Sequence, residues 1–323
     1  MSSNFKATVI KSGAKSVVCK IDESSLEVEG TLIGKLYKQK KNAVVGDVVI
    51  LEKQENEDDR YLIKEILPRK NEISRIIVRE RKKRAIASNC DYLIITVSVS
   101  KPKYKRGIID RFLIRSIQWG IPAIVIFNKM DEWKKDNNVD LLFEQDRLKE
   151  LNVHCFEVSA LQREDYKNQF LKNGLQDLKE VLKGKTVILL GQSGVGKSHT
   201  ISTLAGIDKL LLSGEISLDG KGKHTTTWCE KIDFENFSFI DSPGIRSFAI
   251  DDIEEENFIH YWPDLEKLGF NCKFKDCTHH ESIKGCYIQD NFSENTNIMS
   301  RLDSFHDMLR EVSTSKSWEK KYH

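Results

Sequence analysis

Residues 186–205 read "TVILLGQSGVGKSHTISTLA", an apolar strand, a glycine-rich loop of the form G-x-x-x-x-G-K-S, and a stretch with helical spacing. Few sequence features restrict a fold as narrowly. The loop works only where a buried parallel strand delivers it to the N-terminus of a helix, whose dipole and free N–H groups then face an anion. Gly191 and Gly196 let the backbone wrap phosphates, and Gln192, Ser193, Gly194 and Val195 complete the cradle. Lys197 can reach the terminal phosphates, Ser198 can ligate Mg2+, and the backbone of His199 is placed for the α-phosphate. An α/β domain holding a nucleoside triphosphate is the expectation.

A second motif fixes which nucleotide. Asn128, Lys129, Met130 and Asp131 form "NKMD" directly after the buried strand "AIVIF". A carboxylate can accept two hydrogen bonds from the guanine N1–H and N2 amino group, a pair that adenine does not offer, so Asp131 is the expected selector. Asn128 would support the loop and the base, and Lys129 would lie along the ring. "SAL" at 159–161 supplies Ser159 and Ala160, where a backbone N–H can meet the guanine carbonyl. "DSPG" at 241–244 follows the strand "FSFI", so that Asp241 would hold magnesium through water and the Gly244 amide would sense the γ-phosphate. "HTTT" at 224–227 lies between loop and motif, where a switch threonine completes the metal shell: Thr226, with Thr225 the alternative. Many GTPases place Gln directly after D-x-x-G to orient the attacking water. Here Ile245 stands there, and His224 is the nearest polar candidate for that catalytic role.

The order of these motifs is unusual. The base-reading turn precedes the phosphate loop by 63 residues, so the chain runs base, accessory, phosphate, switch, D-x-x-G. That is the common order cut once and rejoined, which a compact domain with neighbouring termini tolerates. The stretch after D-x-x-G then leads straight into whatever follows, and a switch that moves on hydrolysis would pull on it.

Flanking regions differ in period. Residues 1–78 alternate apolar and polar positions in short runs ("KATVIKSG", "SVVCKID", "LEVEGTLIG", "AVVGDVVIL", "YLIKEIL"), which argues for an all-β OB barrel. The basic run "RERKKR" at 79–84 reads as a connector. Residues 79–250 alternate apolar strands with helical stretches, the pattern of a parallel sheet covered on both faces, whose ligands bind at the strands' carboxyl ends. Residues 251–323 close with "NTNIMSRLDSFHDMLREV", where Ile298, Leu302, Phe305, Leu309 and Val312 share one helical face. The predicted architecture is therefore multidomain: an OB barrel, a circularly permuted α/β P-loop GTPase domain, and a small helical zinc-binding domain.

Zinc enters through "CKFKDCTHHESIKGC". Cys272, Cys277, His279 and Cys286 form C-x4-C-x-H-x6-C, three thiolates and an imidazole that would close a structural tetrahedral site with one Zn2+ per chain. His280 is the alternative fourth ligand. The other four cysteines stand singly among apolar residues and read as reduced. With 51 Lys and Arg against 49 Asp and Glu, the formal charge is only +2, so any nucleic-acid footprint must be local. The longest apolar runs are far too short to span a bilayer, and no signal core opens the chain. A cytoplasmic monomer with no membrane partner is expected.

Barrel, permuted nucleotide domain and cysteine knuckle stand in an order that resembles the bacterial ribosome small subunit-dependent GTPase A (RsgA, YjeQ) family over nearly the whole chain. "GQSGVGKS", "KHTTT", "DSPG", "NKMD", the C-x4-C-x-H signature, "GDVV" at 46–49 and "PRKNEISR" at 68–75 carry the likeness. The resemblance implies a GTPase that binds GTP and GDP, contacts the 30S ribosomal subunit and its 16S rRNA late in maturation, and leaves after hydrolysis. "ESIKGC" departs from the family's shorter, proline-containing approach to the last cysteine. Two other readings remain at this stage: a GTP-binding rRNA scaffold with incidental turnover, and a P-loop ATPase with a fortuitous "NKMD".

Overall fold

Alternation in the first region becomes a closed barrel. Its strands are β1 (Asn4–Ser12), β2 (Val17–Ile21), β3 (Glu27–Leu32), β4 (Val48–Lys53) and β5 (Arg60–Ile66). The computed structural model describes residues 4–13, 17–34, 36, 42–54, 60–77, 82–134, 139–207, 229–241, 249–250 and 252–319. The strands run in the order β1-β2-β3-β5-β4, and β4 pairs back on β1 to close the ring. β3 and β5 lie parallel while the other pairs are antiparallel, the five-stranded OB arrangement. Ala7, Val9, Cys19, Val49, Leu51 and Ile63 fill it. A register shift between Val9 and Lys11 lets β1 bend out of the ring.

The sequence does not reveal what comes next. The end of β1 pairs with β12 (Cys229–Asp233) of the central domain, so that barrel and central sheet are hydrogen-bonded into one continuous ladder. Lys11 to Glu230 at 2.9 Å and Lys20 to Asp233 at 2.8 Å bridge the same seam. The basic run expected as a connector enters a hairpin, in which β6 (Glu72–Ile77) pairs with β7 (Lys82–Ser88). Charged residues occur in strands as well as in loops, and charge alone could not tell the two apart.

"GDVV" and "PRKNEISR" meet at this joint. The fully buried Asp47 accepts hydrogen bonds from Arg69 Nε at 2.7 Å, Ser88 Oγ at 2.6 Å and the Val44 N–H at 2.9 Å. Asn71 exchanges two hydrogen bonds with the backbone of Cys90, at 2.7 and 3.0 Å. At Gly46 φ is +90° and a Cβ would lie 2.1 Å from the Ser88 carbonyl oxygen, so only glycine fits.

The central sheet contains β8 (Tyr92–Ser98), β9 (Ala123–Asn128), β10 (His154–Glu157), β11 (Lys185–Leu190), β12 and β13 (Phe237–Asp241), in the order β10-β9-β8-β11-β13-β12. All neighbours are parallel except β12 with β13. Successive residues of each strand serve opposite layers. Ile95, Val125, Phe127 and Ile188 pack with α1 (Arg106–Trp119) and α2 (Leu141–Glu150). Ile94, Ile124, Ile126 and Val187 pack with α3 (Leu175–Leu182) and α4 (Lys197–Leu204). Burial on both faces explains the nearly unbroken apolar runs.

The third region has α5 (Pro263–Gly269), α6 (Tyr287–Phe292) and the long α7 (Thr296–Glu319). Leu302, Phe305 and Val312 are buried as the helical stripe predicts, with Phe258 stacked on Phe305 and Trp262 set edge-on to it. This core also takes in Ile114 of α1. A buried ionic network deepens the contact: Asp110 of α1 accepts from Arg147 of α2 at 2.6 Å and from Arg301 of α7 at 2.7 Å. Arg301 also pairs with Asp264 at 2.8 Å and lies 4.2 Å from the Trp262 ring centre. Past residues 242–248 the chain is held on α1, where Arg115 pairs with Asp252 at 2.7 Å and donates to the Ala249 carbonyl.

Candidate nucleotide site and metal centre

Four of the expected motifs stand at the carboxyl edge of the parallel strands. The phosphate loop follows β11, the base-reading turn ends β9, "SAL" follows β10, and Asp241 ends β13. The chain's change of direction across the sheet, from β8–β9–β10 on one side to β11 and β13 on the other, opens the crevice in which such folds take ligands.

Asn128 joins three of these loops. It is almost fully buried, its Nδ2 donates to the Val195 carbonyl of the phosphate loop at 2.9 Å, and its Oδ1 accepts from the Ala160 N–H at 3.1 Å. Gly196, with φ +96°, lies so near that a Cβ there would be 2.4 Å from Asn128 Nδ2. Thr203 of α4 adds a further tie by donating to the Ala160 carbonyl at 2.8 Å. Asp131 accepts from Ser159 Oγ at 2.6 Å, and Ser159 Oγ in turn accepts from the Gln162 N–H at 3.1 Å. Met130 is buried beneath the turn. Lys129 has φ +64°, unusual for a non-glycine residue, and its Nζ donates to the Lys101 carbonyl at 2.6 Å.

In the phosphate loop, Lys197 Nζ donates to the carbonyls of Gly191 and Gln192, both at 2.8 Å. Gly191 crosses so close to β8 that a Cβ would lie 2.4 Å from the Thr96 carbonyl oxygen. Val195 is buried, Ser193 and Gly194 are exposed, and Ser198 and His199 are half-buried in the first turn of α4. Thr226, its alternative Thr225, His224, Gly244 and Ile245 lie outside the described residues. Sequence reasoning missed Thr203 and the carbonyls of Thr96, Lys101 and Val195. Three of these act through backbone atoms, which leave no side-chain signature.

One more group was invisible in the sequence. Glu157 is fully buried and accepts from the N–H groups of Gln169 at 2.7 Å, Phe170 at 2.9 Å and Leu171 at 2.6 Å, and from the Tyr166 hydroxyl. It organises the loop after "SAL", and Phe170 of that loop packs on Trp133 beside the base-reading turn, with ring centres 4.6 Å apart.

In the third region the ligand atoms of Cys272, Cys277, His279 and Cys286 all lie within 4.8 Å of one another. His279 Nδ1 stands 3.6 Å from both Cys272 Sγ and Cys286 Sγ. A tetrahedral zinc with Zn–S of about 2.3 Å and Zn–N of about 2.05 Å has an S···N edge of about 3.6 Å. The donor set therefore fits that ion in chemistry and in size. Burial, with help from the neighbouring thiols, pushes the Cys277 thiol up to about 12, and a bound divalent cation would favour its thiolate instead. Outer contacts support the ligands: the Tyr287 N–H donates to Cys272 Sγ at 3.3 Å, and Gln289 Nε2 donates to the His279 carbonyl at 2.8 Å. His280 is exposed and stacks on His306, ring centres 4.1 Å apart, outside the cluster.

A P-loop domain whose base-reading strand precedes its phosphate strand, with an OB barrel before it and a cysteine–histidine cluster after it, defines the class of circularly permuted P-loop GTPases. The model of the RsgA GTPase family matches residues 66–251. A small ribosomal subunit biogenesis GTPase RsgA from Flavobacterium psychrophilum is 32% identical over 285 residues, 87% of this chain and 84% of that one. The crystal structure of YjeQ from Thermotoga maritima superposes with a TM-score of 0.73 at 25% identity, covering 96% of this chain and 99% of that one. The structure of YloQ, a circularly permuted GTPase, shares the fold with a TM-score of 0.72 at 21% identity, covering 97% and 96%. The chain belongs to the RsgA GTPase family.

Proposed function

We propose that this protein hydrolyses GTP to GDP and phosphate under stimulation by the small ribosomal subunit, and that it acts late in the maturation of that 30S particle on its 16S rRNA. Relatives such as the one from Flavobacterium psychrophilum, named for small ribosomal subunit biogenesis, support the setting. The observation that carries the chemistry is the double hydrogen bond of Asn128 to the phosphate loop and to the "SAL" loop. It makes base recognition and phosphate binding parts of one constellation, which a fortuitous "NKMD" on an ATPase would not need.

In this reading Asp131 selects guanine, the Ala160 N–H meets the guanine carbonyl, and the backbone from Gly191 to His199 holds the phosphates. Lys197 exchanges its two loop carbonyls for phosphate oxygens. Mg2+ bound with GTP neutralises charge on the phosphates, and Ser198 and Thr226 are the side chains proposed to hold it, with Asp241 behind a water. Gly244 senses the γ-phosphate and His224 orients the attacking water, for phosphoryl transfer needs chiefly an in-line nucleophile and stabilised charge. Cys272, Cys277, His279 and Cys286 hold one structural zinc. We divide the chain at 1–78, 79–250 and 251–323, and place it in the cytoplasm as a monomer. Among the described residues no helix is long and apolar enough to cross a membrane.

Competition is the direct test of the chemistry. A site built to satisfy a polar edge rejects an analogue that lacks it by about 10^4 to 10^5. GTP should displace labelled GDP far better than ATP does, and Asp131→Asn should turn the preference toward xanthine nucleotides. Equal competition by ATP would rule out the guanine assignment.

A further inference from the structure

Two exposed phenylalanines lie in the segment that leads into and through the metal loop. Phe270 is 79% exposed and Phe274 is 48% exposed. Phe270 caps α5, two residues before Cys272, and Phe274 sits between Cys272 and Cys277. Phenyl rings left this far in water, four residues apart in the chain, add little to folding, and exposed aromatic side chains suit an interaction site. The loop is held rigidly from below. Its ends are the cluster cysteines, the Cys277 N–H donates to the Phe274 carbonyl at 3.3 Å, and the Lys273 N–H donates to the Gly285 carbonyl at 3.0 Å.

The rings are set among cations. Lys273 and Lys275 flank Phe274, and the Lys273 ammonium lies 5.5 Å from that ring's centre. Its stem runs over Gly285, where a Cβ would meet Lys273 Cβ at 3.0 Å. Lys267 and Lys284 are exposed nearby in the chain. None of the four has a carboxylate partner among the described residues, whereas Glu266 and Asp264 of α5 are taken by His260 and Arg301. Asp276 is the one acidic residue from Gly269 to Thr278. An apolar protein surface docking here would have to strip water from unpaired ammonium groups beside the rings. Unpaired nucleic-acid bases would not: they stack on the phenyl faces while the phosphates stay wet at the lysines.

We infer that Phe270 and Phe274 form a stacking platform for unpaired RNA bases, with Lys273 and Lys275 meeting the adjoining phosphates. The inference rests on the proposed ribosomal role and names the feature of the RNA that this face takes: single-stranded nucleotides, not a duplex. The zinc cluster pre-orders the platform, so that no loop has to be fixed at the moment of binding.

The experiment uses the full zinc-loaded chain and three probes: a short fluorescein-labelled single-stranded RNA, its duplex, and an abasic version of the same backbone. Phe270→Ala and Phe274→Ala should each weaken the single strand by about 5- to 150-fold, as expected for one lost base stack. Duplex and abasic probes should bind wild type more weakly than the single strand and be indifferent to both changes. Phe274→Trp should retain affinity, with its indole fluorescence quenched by the single strand alone. Zinc content and subunit-free GTP turnover should match wild type throughout. Unchanged single-strand affinity in both alanine variants overturns the inference, as does abasic RNA binding as tightly as the intact strand. Loss of small-subunit affinity without loss on the oligonucleotide also overturns it and assigns the platform to a protein. Wild-type turnover with small subunits separates the two levels: stimulation alongside a negative stacking result removes this inference alone, and absence of stimulation removes the ribosomal reading.

Discussion

Asn128 shows how much one side chain can carry. It is nearly fully buried, and both of its amide atoms are spent on backbone groups of other loops. Asn128→Ala would leave the Ala160 N–H and the Val195 carbonyl without this partner, at about 1–3 kcal/mol for each buried group left unpaired. GDP affinity should therefore fall by about 30-fold or more in an equilibrium titration, since each 1.4 kcal/mol is about tenfold. The zinc content should stay at wild-type level. Unchanged affinity would mean that the three loops are positioned without it. The sequence already made Asn128 a support for loop and base. Its reach to Val195 could not be read there, because the acceptor is a backbone atom 67 residues away.

At the scale of elements, what was legible had a period and what was not lay between elements. The five barrel strands and the α/β alternation announce themselves because side-chain burial repeats every two residues on the barrel strands and is nearly continuous on the sheet strands. β7 escaped because its first residues, Lys82–Arg84, have the composition of a connector. The Asp110–Arg147–Arg301 network escaped because its members are far apart in sequence and each, alone, looks like a surface charge. Burial would raise the Asp110 carboxyl, but Arg301 and Arg147 more than offset this and hold it below its ordinary value of 3.8. A carboxyl lowered by folding contributes stability that is complete above its ordinary value and is lost as pH falls through the lowered one. Asp110→Asn, which leaves two buried guanidinium groups short of a counter-charge, should cost about 3–5 kcal/mol at neutral pH. Thermal unfolding of the pair across pH should show that difference shrinking only below about pH 4. A difference independent of pH would show that the carboxylate charge is not what holds α7 on α1.

For the whole molecule, three regions are joined more tightly than three sequence patterns suggest. The barrel shares a ladder with the central sheet through β1 and β12, and the third region shares Ile114 and the Asp110 network with α1. The cysteine–histidine cluster lies within the third region, with Cys286 in its core and the His279 ring centre 6.4 Å from that of Phe305. Freshly purified protein should contain one zinc per chain, and Cys277→Ser should lower it. Chelation should open residues 270–286 to protease while GDP binding persists. Protein that never carries zinc, or loss of GDP binding on chelation, would contradict this division of labour.

Residues 208–228, which precede β12 in the chain, lie outside the described residues. His224 lies in that segment, and a positioned proton acceptor contributes about 10^2 to 10^4 in rate. The measurement that tests the account most directly is steady-state GTP turnover of wild type and His224→Ala, each alone and with purified small or large ribosomal subunits. The account predicts that small subunits accelerate wild-type turnover, that large subunits do not, and that His224→Ala loses most of the acceleration while binding GTP normally. Turnover that is indifferent to small subunits, or equally raised by large ones, would contradict it.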